Sequence, residues 1–249
     1  MAEKPEKTQT TNMKIRRLAS NVIMVCLAAI MVLSGIRVFT ILKNYKDDRD
    51  AYKKIAEAAG DIEAGVDFDA LRKINPDVIG WLVYDGTPIN YPVVQGENND
   101  MYLHMLFDGT WGFCGTLFAD ASTEAPFRQF NTIVYGHHMK DGSMFASIKS
   151  LRDPAWAADH PKLKLYTPDA DYYLEVWAFL NQPSDSILYT TNFRDVSKQE
   201  EYLEFIQNHA AYTTDVSVAS DDMIVLLSTC VAAEGKARYI AVCKMVPMQ

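Results

Sequence analysis

A series of short strand-like runs, separated by turn residues, constrains the fold of this chain more than any other feature of its sequence. The runs are apolar and rich in β-branched or aromatic residues, and Asp-Gly, Pro-Asp or single Gly residues lie between them. They are Gly80–Tyr84, Ile89–Val94, Thr116–Phe118, Thr132–Tyr135, Leu163–Tyr166 and Tyr172–Leu180. Many short strands with such turn signals are typical of a closed or nearly closed β-barrel. The sequence therefore predicts a mainly β fold with accessory helices.

Helical periodicity and capping signals predict three helices beside the barrel. Tyr45–Ala59 places apolar residues on one face and is followed by a glycine stop signal. A short helix is expected to begin after Asp67 and to end before Pro76. Ser197–Ala210 opens with the spacing of a capping box and continues with an apolar stripe. The chain shows no internal repeat and no linker, so everything after residue 42 is predicted to form one domain.

An uncharged run of 19 residues, Leu18–Ile36, lies near the N-terminus. A helix of this length roughly covers the hydrocarbon core of a bilayer, which is about 30 Å thick. Arg37 interrupts the run, but apolar residues continue to Leu42, and an arginine near a helix end can snorkel. A cleavable signal peptide has a shorter apolar region, about 7–15 residues, and a small-x-small site that Ser34 and Gly35 match poorly. We therefore predict an uncleaved transmembrane anchor at residues 18–42.

The formal charge of −8 is unevenly distributed along the chain. Residues 1–17 carry five basic and two acidic residues, which leaves 19 basic and 30 acidic residues for the remainder. Because basic residues stay on the inner side of a membrane, residues 1–17 are predicted to be a cytoplasmic tail and residues 43–249 an extracellular domain. An acidic body lacks the clustered Lys and Arg that neutralise phosphates, so nucleic acid is excluded as a partner.

Cysteine usage directs attention to the C-terminal end. Four cysteines are too few for a disulfide scaffold. Cys230 follows the buried-strand pattern Met223–Leu227, and Arg238 stands at the head of a second apolar run, Tyr239–Cys243. If the two runs are neighbouring strands, a guanidinium faces the thiol, where it favours the nucleophilic thiolate and can hold an oxyanion. Taken alone, however, Cys230 is more simply explained as a buried core cysteine.

Five histidines are available as a base. Three of them, His104, His160 and His209, lie in polar or helical surroundings and are predicted to be surface residues. His137 and His138 follow a strand and a glycine, where a scaffold can present a catalytic group. Adjacent strand residues point to opposite faces, and no further ligand cluster accompanies the pair, so we predict no metal site and no cofactor. One of the two is expected to act with Cys230, and strand alternation does not say which.

Several motifs together resemble the class B sortases. The catalytic signature consists of Tyr135–Met139, Ser143–Phe145, Leu227–Cys230 and Arg238. Further matches are Ile74–Leu82, Asn90–Gly96, Tyr102, Leu103 and the long helix at Ser197–Ala210. The resemblance covers roughly residues 45–246. It implies a sortase-type closed barrel of about eight strands, with N-terminal helices and a long helix between the sixth and seventh strands.

The resemblance also implies roles for individual residues. Cys230 would be the nucleophile, His137 the general acid/base, and Arg238 the stabiliser of the oxyanion or substrate. The remaining positions would contact the peptide: Ser228 as a hydroxyl in the groove, Asn99 and Leu103 as residues that hold the sorting peptide, Leu188 and Tyr189 in the loop that closes over it. Cys114 stands where a serine is common, and we expect a tolerated small residue there.

The implied function is that of a membrane-anchored cysteine transpeptidase. It would cleave a C-terminal sorting signal, Asn-Pro-x-Thr or a Leu-Pro-x-Thr relative, on secreted proteins through a thioester, and transfer the product to a peptidoglycan or other cell-wall amine. Two alternatives are a hydrolytic cysteine protease and an inactive membrane-anchored binding domain. Papain-like proteases run Cys before His before Asn, whereas here the order is His, Cys, Arg. An inactive domain would be expected to have lost its nucleophile.

Overall fold

The computed structural model describes residues 6–230 and 237–248, with side chains for residue 16 and for residues 19–229 and 237–248. It forms two compact units, Met1–Lys46 and Asp47–Gln249. In the first unit, large apolar side chains such as Met31 and Phe39 are exposed. Within the described residues, one helical stretch, Ala19–Ala59, is long and apolar enough to cross a membrane.

Four α-helices accompany the β-strands in the described residues: α1 (Glu6–Ala59), α2 (Phe68–Ile74), α3 (Pro154–Asp159) and α4 (Val196–His209). Two 3₁₀ helices, Phe145–Arg152 and Ile187–Tyr189, complete the helical part. The predicted helix at residues 45–59 is the last part of α1, and it ends at Ala59 as expected. Asp67 caps α2, because its side chain accepts a hydrogen bond from the Ala70 N–H.

The predicted cap of α4 is wrong. Ser197 is not the N-cap. That position belongs to Asp195, whose carboxylate accepts from the Lys198 N–H, and the Ser197 hydroxyl donates to the same carboxylate. A carboxylate is as good a cap as a hydroxyl and adds a favourable charge at the helix N-terminus, so the helix begins earlier than the capping box indicated.

The second unit is built around a closed β-barrel. The described part of this unit contains nine strands: β1 (Val78–Val83), β2 (Asn90–Val94), β3 (Leu117–Ala119), β4 (Asn131–Tyr135), β5 (Lys162–Tyr166), β6 (Asp171–Pro183), β7 (Tyr212–Thr213), β8 (Ile224–Cys230) and β9 (Ala237–Pro247). Their order is β5-β1-β2-β3-β4-β8-β9-β6, and the pairing of β5 with β6 closes the ring of eight. The short β7 pairs with β6 alongside this ring. The barrel and the long helix after its sixth strand were both predicted, and the barrel is confirmed.

Strand pairing brings the chemically interesting segments to one end of the barrel. β4 and β8 are parallel, with Tyr135 opposite Ser228. β8 and β9 are antiparallel, with Cys230 opposite Arg238. The Gly136 N–H donates to the Ser228 carbonyl at 3.1 Å, which extends the β4–β8 pairing to the residue before His137.

Helix α4 covers one side of the barrel through an apolar cluster. Tyr202, Leu203 and Ile206 of the helix pack against barrel residues that include Trp177 and Leu226. The Tyr202 hydroxyl lies in this core and donates to the Leu188 carbonyl at 2.7 Å, so its burial leaves no polar atom unsatisfied. The helix thereby fixes the segment that connects it to β6.

The last turns of α1 support the connection between β2 and β3. The Tyr52 hydroxyl donates to the Gly115 carbonyl at 2.6 Å, and the Asp48 carboxylate accepts from the Cys114 N–H at 3.1 Å. Gly115 has a φ of +56°, and a Cβ there would lie 2.4 Å from the carbonyl oxygens of Tyr102 and Leu103. Only glycine allows the two backbone segments to approach so closely.

Replacing Gly115 with alanine should therefore lower stability far more than the same change at Gly109. Gly109 also has a positive φ, +81°, but a Cβ there would have no atom within 4 Å. Gly109→Ala should cost about 1–2 kcal/mol for the left-handed backbone alone. Gly115→Ala adds a backbone overlap and should cost about 3 kcal/mol or more. Urea unfolding of the two variants would show this difference, and equal losses would contradict the close approach.

Candidate active site

A cavity of about 400 Å³ opens at the end of the barrel where β4, β8 and β9 meet. Six of the eight residues predicted for the site line it: Asn99, Leu103, His137, Tyr189, Ser228 and Arg238. Of the remaining two, Leu188 is placed elsewhere. The side chain of Cys230 lies outside the described residues, but its backbone ends β8 directly opposite Arg238. The strand pairing therefore gathers these positions around one cavity.

The His137 ring is held by a backbone carbonyl. Its Nε2 lies 2.7 Å from the Leu103 oxygen, and a carbonyl can only accept, so the proton of the neutral ring is on Nε2. Nδ1 then carries the lone pair that can take up a further proton. Burial lowers the pKa of His137, the hydrogen bond to Leu103 raises it, and nearby His104 lowers it, with a net lowering. The ring is therefore poised as a neutral base near pH 7.

The structure also separates the two adjacent histidines that the strand pattern left open. The His137 ring lines the cavity, while the His138 ring lies against Tyr239, with ring centroids 6.4 Å apart. Adjacent residues at a strand end point in different directions, and of these two it is the first that lines the cavity.

Arg238 is the second residue of β9, and its side chain lines the cavity. Its Nη1 donates to the Ala237 carbonyl at 3.2 Å, which orients the guanidinium along the strand end. A guanidinium has five donors, so Arg238 can bond to more than one acceptor. Its fixed charge beside the end of β8 provides what a thiolate or an oxyanion requires.

Ser228 and Tyr189 join the barrel to the segment before α4. Ser228 is 2% exposed, and its hydroxyl lies 2.9 Å from the Tyr189 hydroxyl. The Tyr189 ring stacks on Tyr135, with centroids 6.1 Å apart and planes at 10°. Through these two contacts the 3₁₀ helix Ile187–Tyr189 forms one wall of the cavity.

Leu188 is buried in the core and does not line the cavity. It is 0% exposed and packs in the cluster formed with α4. Successive residues of a 3₁₀ helix point about 120° apart, so Leu188 faces the core while Tyr189 faces the cavity. Leu188 supports the wall, and Tyr189 provides its surface.

Asp120 is a cavity residue that sequence reasoning missed. Burial raises the pKa of this carboxyl, but hydrogen bonds from Ser122, Tyr135 and Asn99 outweigh it and the net effect is a lowering. The Tyr135 hydroxyl and Asn99 Nδ2 lie 2.7 and 2.9 Å from Oδ2. The carboxylate is therefore ionised and saturated with donors. Its position directly after a strand was the available signal, but many aspartates in this chain occupy turns.

Asn99 is fixed at both ends of its amide. Nδ2 donates to Asp120, and Oδ1 accepts from the Ala121 N–H at 2.8 Å. One N–H of the amide then remains for a ligand in the cavity. The Asp120 carboxylate thus sets the orientation of the Asn99 amide at the cavity.

Two other cysteines of the barrel unit are unsuited to nucleophilic attack. Cys114 and Cys243 are free and buried. Burial raises the pKa of both thiols, and for Cys114 the Asp48 carboxylate raises it further. Both therefore remain protonated at neutral pH. Across the described residues, no group of three or more His, Cys, Asp or Glu side chains is arranged to hold a metal ion.

Comparison with known proteins identifies a family and class. Residues 83–246 match the sortase domain model. Sortase B of Listeria monocytogenes is 36% identical over 160 residues, which are 64% of this chain and 65% of that protein. The match thus spans slightly less than two thirds of the Listeria relative. Sortase B of Staphylococcus aureus is 26% identical over 242 residues, 94% of this chain and 99% of that protein.

Solved structures agree with this comparison. A Staphylococcus aureus sortase B–substrate complex superimposes with a TM-score of 0.77 at 27% identity, covering 83% of this chain and 100% of that one. Sortase B of Bacillus anthracis in complex with AAEK1 gives a TM-score of 0.74 at 34% identity, with 83% and 100% coverage. The predicted barrel is therefore the barrel of these proteins.

Proposed function

The chain belongs to the sortase family, whose members are cysteine transpeptidases, and we propose that it acts as a membrane-anchored class B sortase with Cys230 as its nucleophile. The observation that carries the proposal is the meeting of three strand ends at one cavity. β4 leads to His137, β8 ends at Cys230, and Arg238, the second residue of β9, is paired opposite that cysteine. A base, a thiol position and a fixed cation at one cavity are the groups that acyl transfer needs.

In the first half-reaction the Cys230 thiolate attacks a peptide carbonyl. His137 takes up the thiol proton on Nδ1, because the lowered pKa keeps the resting ring neutral and its proton is on Nε2. The carbonyl oxygen becomes an oxyanion, and Arg238 stabilises its charge. When the tetrahedral intermediate collapses, the C–N bond breaks and His137 gives the proton to the departing amine. A thioester remains on Cys230.

In the second half-reaction an amine attacks the thioester carbonyl. His137 removes a proton from the amine, a new amide bond forms, and the Cys230 sulfur leaves as the thiolate, which regains a proton in the resting enzyme. Arg238 stabilises the same oxyanion position again. A partly enclosed cavity limits water, so the thioester can await an amine, and hydrolysis is the slow side reaction.

The proposed substrates are a C-terminal sorting signal, Asn-Pro-x-Thr or a Leu-Pro-x-Thr relative, and a cell-wall amine. A Staphylococcus aureus relative has been solved as a sortase B–substrate complex, and this chain superimposes on it. The cavity offers an apolar surface at Leu103 and polar groups at Asn99, Tyr189 and Ser228. Such a mixture of apolar lining and a few placed polar groups suits a short peptide.

We also propose that the protein is anchored with its catalytic unit outside the cell. The support is the apolar helical stretch near the N-terminus and the basic residues that precede residue 18.

Protease added to intact protoplasts should digest the chain from Tyr45 onward and spare the N-terminal tail. If the catalytic unit were protected from the protease, the orientation would be the opposite of the one proposed.

Cys230→Ala should abolish both cleavage and transfer while the fold is kept. Cys114→Ser is the matched control: its thiol is buried and protonated, so this variant should retain most activity. The assay offers a panel of sorting-signal pentapeptides with and without an amine and identifies the products by mass spectrometry. An amine-ligated product supports the transpeptidase. If the hydrolysis products were the same with and without the amine, the protein would be a protease. Loss of activity in Cys114→Ser alone would refute Cys230 as the nucleophile.

Arg238→Lys should lower kcat on the order of 10²–10³-fold, as for other oxyanion donors. Lysine keeps the charge but replaces a planar fork of donors with a point charge on a flexible stem. The loss should fall on kcat, because the oxyanion forms only in the transition state. Steady-state kinetics of Arg238→Lys and Arg238→Ala would measure it. A near-native kcat in the lysine variant would reduce Arg238 to a background charge.

A further inference from the structure

His104 stacks directly on the proposed catalytic base. The sequence predicts a surface residue there, and the side chain is indeed exposed. Its ring nevertheless lies face to face with the His137 ring, with centroids 5.6 Å apart and planes at 17°. One face of the His137 ring is therefore covered by a second imidazole.

The backbone around His104 fixes the position of this ring. The Gly112 N–H donates to the His104 carbonyl at 2.9 Å, and Met105 forms an antiparallel bridge with Trp111. The Trp111 ring also lies near His104, with centroids 6.1 Å apart. His104 thus has the rings of both Trp111 and His137 as neighbours.

Leu103 and His104 have opposite effects on the pKa of His137. The Leu103 carbonyl accepts the Nε2 hydrogen bond and favours the protonated ring, whereas a charge on His104 opposes it. The other charged groups at the cavity are Asp120 and Arg238, of opposite sign, and Cys230 lies on the neighbouring strand with its side chain outside the described residues. His104 is therefore the neighbour whose ring lies beside that of His137 and whose charge opposes its protonation.

We propose that His104 is a positioning residue of the reaction: its ring holds the His137 ring by stacking, and its charge decides how readily His137 takes up a proton. This inference rests on the proposed function, in which His137 is the acid and base. A positive charge on His104 favours the neutral form of His137, which is the form that acts as the base.

Two substitutions separate the charge of His104 from its stacking. His104→Phe keeps a flat ring but removes the charge, and His104→Lys keeps a charge but removes the ring. The pKa of His137 should rise in His104→Phe by about 0.5 unit, the shift that Coulomb's law gives for two unit charges at this spacing in water. In His104→Lys the pKa of His137 should stay below its value in His104→Phe.

The measurement is an NMR titration of isotope-labelled histidines in the full chain in detergent micelles, with His137→Gln to assign the signal. The pH profile of kcat/KM on a sorting peptide should move with the His137 titration. His209→Phe is the matched control, because His209 is an exposed histidine that stacks on an aromatic ring, Phe205, on α4. This variant should leave the His137 titration unchanged.

An unchanged His137 titration and pH profile in His104→Phe would overturn the proposal, even if activity fell, because the ring would then be only a structural support. The NMR arm requires no turnover. A protein that proves inactive as a transpeptidase would therefore refute the proposed function while leaving the coupling of the two rings open to direct measurement.

Discussion

The register of β8 between its two neighbours is the constraint on which the site depends. Its parallel pairing with β4 and antiparallel pairing with β9 place Cys230 beside Arg238 and bring the end of β4 alongside. A slip of one residue would turn each of these side chains to the opposite face of the sheet. Closure of the barrel prevents such a slip, because every strand of the ring is paired on both sides. The catalytic geometry is therefore a property of the whole barrel.

Polar groups around the cavity are held in position by hydrogen bonds to neighbouring groups of the protein. The Asp120 carboxylate holds Asn99 and Tyr135, and the Leu103 carbonyl holds His137. Gly115 lies against the Leu103 carbonyl, and the Gly115 carbonyl accepts a hydrogen bond from the Tyr52 hydroxyl near the end of α1. A ring held in this way loses little entropy when a ligand binds in the cavity. The part of α1 that belongs to the barrel unit thus supports the site through Gly115 and Leu103.

The sequence predicts the barrel and the motif residues but not the contacts between distant segments. Strand periodicity and turn residues are local signals, and the wall residue Tyr189 was found through a family resemblance. Asp120 was missed because its role comes from donors brought to it by three separate segments. His104 was assigned to the surface because exposure can be inferred locally, whereas stacking on a ring 33 positions away cannot. Leu188 and Tyr189 differ by one position, and only the turn of a 3₁₀ helix decides which of them faces the cavity.

The central claim is that acyl transfer proceeds through a thioester on the cysteine that ends β8. The most direct test is to mix the protein with a sorting-signal peptide in the absence of amine, quench in acid at early times, and map the modified residue by mass spectrometry. The account predicts an adduct with the mass of the acyl fragment on the peptide that contains Cys230, and its disappearance when an amine is added. An adduct on Cys114 or Cys243, or cleavage with no adduct on any cysteine at any early time, would contradict it.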